Sequence, residues 1–213
     1  MPLWRGALSG RIAVELRDHA PFTMLGTLSG VGLLVAIVVL DVPRNVSTGL
    51  FWGLHPSHVF FSAVVTTALY TRYKPRRGWA TVIIGYVGSV GIGTASDCLV
   101  PYIGEWLLGL PERHLHLGFI EKWWLVNPLA AAGVAIGALW PHTKVPHAGH
   151  VLLSTWASLF HMVMALGSSV GIGTYAVVPI FLFLAVWLPC CTSDIVFPLL
   201  FSGPTPPHAH CRN

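Results

Sequence analysis

Apolar runs long enough to cross a bilayer alternate with short polar connections along this chain of 213 residues. A span takes about 20 mainly apolar residues, and the pattern predicts six of them: Pro21–Leu40, His55–Tyr70, Ala80–Leu108, Trp124–Trp140, His147–Leu166 and Gly171–Phe201. The third and sixth are long. Gly91, Gly93 and Pro101 interrupt one, and Pro179, Pro189 and Pro198 the other, which points to tilted, kinked or partly broken helices. Residues 1–20 carry Arg5, Arg11, Glu15, Arg17 and Asp18 without the apolar centre of a signal peptide, so they read as an interfacial lead-in helix.

Inside these runs the polar residues recur in a fixed order. His55-Pro-Ser-His58-Val-Phe-Phe-Ser62 and His147-Ala-Gly-His150-Val-Leu-Leu-Ser154 share the form H-x-x-H-V, two apolar residues, then S. One hydrophobic span later each is followed by Ser-Asp with a proline four residues on: Ser96-Asp97 with Pro101, and Ser193-Asp194 with Pro198. Three spans separate the copies, and an odd number reverses direction. The expected fold is therefore an all-α integral membrane protein of six transmembrane helices in an inverted 3+3 repeat. Its halves cover residues 21–110 and 124–201, joined by a loop over 111–123 and followed by a flexible tail over 202–213. A second recurrence, Val-Gly-Ile-Gly-Thr at 90–94 and at 170–174, runs in a different register from the histidine pairs.

Composition agrees with the bilayer reading. The chain is 54% hydrophobic and 9% charged, against about 25% charged in soluble domains. A net charge of +4 placed in short loops orients the chain and makes no nucleic-acid surface. Nine basic residues (Arg5, Arg11, Arg17, Arg72, Lys74, Arg76, Arg77, Lys144 and Arg212) fall on one side of six spans and three (Arg44, Arg113 and Lys122) on the other. Both termini are thereby expected in the cytoplasm, in an inner membrane of bacterial or archaeal type. Trp52, Trp79, Trp106, Trp123, Trp124 and Trp140 sit near span ends, as interfacial aromatic residues do. Cys98, Cys190, Cys191 and Cys211 have no spacing of a disulfide framework.

In this frame His55 and His58 open the second span at the outer face, and His147 and His150 open the fifth at the inner face. Residues i, i+3 and i+7 share a helix face, so His55, His58 and Ser62 form one stripe and His147, His150 and Ser154 another. Two imidazoles one turn apart can ligate a transition metal, with an aspartate from a neighbouring helix as third ligand. The expected ligands are His55, His58 and Asp97 at one face and His147, His150 and Asp194 at the other, holding divalent zinc, iron or manganese. A helix start also disfavours imidazolium and so favours the metal-binding neutral ring. Glu105, His114, His116 and Glu121 could collect cations beside the outer site, and His161 could relay between sites. Gly26, Gly30 and Gly32, with Gly133 and Gly137, form small-residue faces for close helix packing within one subunit or in a homo-oligomer.

Three functions fit these residues. The first is a small transporter or permease for a divalent transition-metal cation, or for protons, with one histidine–aspartate site near each membrane face. The second is a membrane-embedded metal-dependent enzyme acting on a lipid-like substrate at the outer face. The third is a non-catalytic subunit of a membrane complex. The chain contains no G-x-x-x-x-G-K-[ST] loop and no H-E-x-x-H motif. At a few positions, H-x-x-H-V-x-x-S followed by S-D-x-x-x-P is loosely similar to the histidine and aspartate motifs of bacterial inner-membrane metal-dependent hydrolases. That family's acidic D-x-D-H stretch is missing here. The resemblance implies a metal that activates water at an outer site.

Overall fold

The computed structural model describes residues 2–73, 78–140, 146–166 and 172–191. Asp194, Pro198 and the 202–213 tail lie outside the described residues, as does the side chain of His147. All regular structure among the described residues is helical. In order these are α1 (Pro2–Val39), α2 (Arg44–Tyr73), α3 (Gly78–Thr94), a π-helical turn (Ala95–Leu99), α4 (Val100–Leu107), the single turn α5 (Gly118–Glu121), α6 (Trp123–Leu139), α7 (Pro146–Ala165) and α8 (Ile172–Cys191). Because α3, the π turn and α4 run on as one rod, Gly78–Leu107, the described residues form seven helices.

Two of these helices are long and apolar enough to cross a membrane, Ala20–Val39 within α1 and the rod Gly78–Leu107. Trp123–Leu139 and Gly173–Pro189 are apolar but shorter. α2 and α7 owe their lower hydropathy to residues turned inward. His55, His58, Ser62, Thr66 and Thr67 of α2 are buried, as are His150, Ser154, Thr155, Ser158 and His161 of α7. The outer surface is apolar instead: Phe22, Leu25, Leu28, Val82, Ile83, Val87 and Ile103 are exposed, with Trp79, Trp106, Trp123, Trp124 and Trp140 near helix ends.

Helix α2 lies at the centre, packed by α3, α6 and α7, while α1 lies against α7 and α8. Small residues set these distances. A Cβ on Gly133 or Gly137 would collide with the backbone carbonyls of Phe60 or Val64, so α6 rests directly on the α2 backbone. Gly26 and Gly30 of α1 face Thr155 of α7 and Leu182 of α8, whereas a Cβ on Gly32 would meet nothing within 4 Å. The close-packing faces expected of Gly26, Gly30, Gly133 and Gly137 thus work within the chain.

The long helices alternate in direction. The end of α1, the start of α2 and the residues after α4 and α7 meet at one end of the bundle, where Arg44 pairs with Glu112 and the Glu112 amide donates to the Ala165 carbonyl at 3.4 Å. Two boundaries differ from the sequence expectation. α2 begins at Arg44, directly after Pro43 ends the α1–α2 connection, so His55 lies about three turns inside it. In the third rod the interruption is a π turn. Pro101 has no N–H to close an α-helical bond to Asp97, and its ring crowds that carbonyl; the bond pattern opens to Val100 N–H on Ala95 O.

Candidate metal site at the α2, α3 and α7 junction

Asp97 sits on the π turn and is fully buried between α2 and α7. Its Oδ2 lies 2.9 Å from His55 Nδ1 and 2.7 Å from His58 Nδ1. Its Oδ1 accepts from Ser96 Oγ at 2.7 Å and from Ser154 Oγ at 3.0 Å. Four partners fill the acceptor sites of one carboxylate, and a carboxylate can only accept. The network therefore sets both rings in the Nδ1–H form with Nε2 as the bare nitrogen. His55 Nε2 and His58 Nε2 are buried and have no hydrogen-bond partner among the described residues.

Each wall of the site has a local cause. His55 and His58 lie one turn apart on the inward face of α2. Gly93 lets α3 approach this face, since a Cβ there would press on Val59 and come within 3.9 Å of His58 Nδ1. Gly118 does the same on the other side: a Cβ there would sit 2.5 Å from His55 Nε2. The chain thus leaves space in front of a bare imidazole nitrogen. Ser158 Oγ donates to the Ser96 carbonyl at 3.0 Å, fixing α7 to the π turn. Cys98, next to Asp97, packs with Phe51, Phe160 and Met164.

Among the described residues, His150 and Ser154 join this site. The His150 ring lies 4.8 Å from the His58 ring, and Ser154 bonds Asp97. Their expected placement near the opposite face is corrected by the helix boundaries. Because α2 starts at Arg44 and runs antiparallel to α7, His58 and His150 fall side by side, and neither His55 nor His58 opens a helix. Asp97 also changes role, since both of its oxygens are taken by donors and it orients the imidazoles that were to share a metal with it. Ser62 follows His58 on the same face; its Oγ is buried without a hydrogen-bond partner among the described residues. His147 and Asp194, the other two expected ligands, fall outside the described side chains.

A second buried pair lies nearer the end of the bundle that carries Arg44. His161 Nδ1 is 2.6 Å from Glu105 Oε1, and both residues are 1% exposed. Phe51 separates this pair from the first, stacked on His55 at 5.5 Å and edge-on to His161 at 5.3 Å. Above it, His116 lies 5.4 Å from His161 and 4.5 Å from His114. His116 Nδ1 contacts Glu121 Oε2 at 3.0 Å. Burial holds the His116 imidazole below its usual pKa, against the opposing pull of Glu121. Sequence reasoning grouped Glu105 with the loop acids; the structure couples it to His161, 56 positions away, a contact that no local pattern encodes. Glu112 is engaged by Arg44 and stands apart from the histidines.

No protein-family model, curated protein or solved structure matches the chain. The chemistry has to come from the site itself.

Proposed function

We propose that this chain is a membrane transporter that carries a divalent transition-metal cation through a single buried site. The carrying observation is a pair of imidazoles hung from one buried carboxylate, with both Nε2 atoms bare in the interior. Metal-ligating histidines commonly donate their other ring N–H to a carboxylate, which fixes the tautomer and raises ligand basicity. His55 Nε2 and His58 Nε2 would be the first ligands, with the His150 ring beside them. No lysine or arginine contacts Asp97 among the described residues, so its charge needs a cation or an imidazole proton to balance it. Imidazole donors select zinc, iron or similar ions over magnesium and calcium.

Transport is favoured by the arrangement around the site. The bundle is inside-out relative to a soluble protein, polar within and apolar without, which supports six membrane-crossing rods. α2 and α7 run antiparallel and turn like polar stripes toward each other. An inverted 3+3 repeat would do this, and such transporters place their substrate at the repeat interface near the bilayer midplane. The two opposed sites of the simpler picture become one central site.

The test is flux of zinc, iron(II) or manganese into sealed vesicles holding the purified protein. His55→Ala with His58→Ala should abolish flux for the transported ion. Unchanged flux in that double variant would overturn the reading. The convergence on one site also suits a membrane-embedded metal enzyme. In that case metal binding would be lost in the same variant while the wild-type protein moved no ion.

A further inference from the structure

Among the described residues, His114, His116 and Glu121 form a group whose donor atoms, one from each, all lie within 4.8 Å of one another. The group is held by its own backbone. The Leu117 amide donates to Glu121 Oε1 at 2.9 Å, the Glu121 and Lys122 amides close the α5 turn on Leu117 and Gly118, and Asn127 Nδ2 donates to the Phe119 carbonyl at 3.3 Å. Two nearby cations are engaged elsewhere, Arg44 with Glu112 and Lys122 over the Trp52 ring at 5.7 Å. Directly inward of His116 come His161 and Glu105, whose remaining polar atoms, Nε2 and Oε2, are buried without a hydrogen-bond partner among the described residues.

We propose that His114, His116 and Glu121 bind a divalent transition-metal ion at the mouth of the bundle, and that His161 with Glu105 receives it from there. Two imidazoles and a carboxylate are a three-ligand set that leaves a coordination position open to water. An open set on a partly exposed loop exchanges its ion faster than an enclosed one, which is what a loading station requires. His161 and Glu105 then offer one nitrogen and one oxygen in a dry interior, a step on the way to the bare nitrogens of His55 and His58. The loop site stands on its own geometry, while the inward transfer rests on the transport reading above.

The experiment titrates the purified full-length protein in detergent with Zn2+ alone by equilibrium dialysis, and with Co2+ alone by visible absorption. Wild-type protein should bind two ions per chain. The exposed triple variant His114→Ala, His116→Ala, Glu121→Gln should bind one, and His55→Ala with His58→Ala should bind the other. Glu105→Gln should keep both but delay the buried-site Co2+ signal by tenfold or more in stopped flow. A triple variant that still binds as many ions as wild type overturns the loop site, whatever the buried pair does. A missing buried ion with the loop ion intact removes the transport reading and leaves the loop site standing. An unchanged transfer rate in Glu105→Gln overturns the inward step.

Discussion

His55 and His58 depend on Asp97 for their tautomer more than for their position, because α2 already holds both rings on one face. Asp97→Asn keeps the volume but presents one acceptor oxygen and one donor nitrogen where the carboxylate presented two acceptors. One imidazole must then turn or change tautomer, and Zn2+ affinity of the buried site should fall about 10- to 100-fold, the range for losing an outer-shell carboxylate; isothermal titration checks it. Gly118 gives a second test. Its replacement by alanine puts a methyl group 2.5 Å from His55 Nε2. Gly118→Ala should cost the same site at least about tenfold in affinity, while overpacking lowers stability by about 1–3 kcal/mol, read from denaturant unfolding in detergent. The H-x-x-H and Ser-Asp patterns already singled out His55, His58, Asp97, His150 and Ser154. They could not say that all five meet, since that depends on how α2, α3 and α7 pack. Gly118 gave no signal, and Glu105 and His161 were legible singly but not as a pair, because that pairing is a contact between residues far apart in the chain.

At the scale of the element, the π turn at Ala95–Leu99 decides where Asp97 points. Pro101→Ala restores an N–H and removes the ring, so an ordinary α-helix becomes available through the whole rod. Asp97 would then rotate relative to α2. The expected result is unchanged helix content by circular dichroism with loss of the buried-site ion, and retention of that ion would show that the turn is incidental. The span pattern located this rod to within two residues at each end (Gly78–Leu107 against Ala80–Leu108), but a proline in an apolar run reads equally as a kink, a break or a π turn. The start of α2 was missed for a related reason: its first turns carry Arg44, Asn45, Ser47 and Thr48, which look like loop and are helical at the end of the bundle. Gly137 provides the packing counterpart. Gly137→Leu has no room against the Val64 carbonyl, and should destabilise the fold by about 1–3 kcal/mol or more, seen as a lower thermal midpoint.

For the molecule as a whole, alternate helices place the connections after α1, α4 and α7 at one end and the ends of α2 and α6 at the other. If six rods cross the bilayer, the basic cluster Arg72, Lys74, Arg76 and Arg77 should face the cytoplasm and Arg113 the outside. In intact cells an impermeant thiol reagent should label Arg113→Cys and spare Arg76→Cys; equal labelling would refute the six-crossing topology. The sequence made the helical bundle legible through run length, and hid the site because hydropathy averages a polar inner face with an apolar outer one. One further consequence follows from a single oxygen, Asp97 Oδ2, holding both His55 and His58. Any displacement of the α3 rod against α2 would therefore reach both imidazoles at once, through the one oxygen that they share.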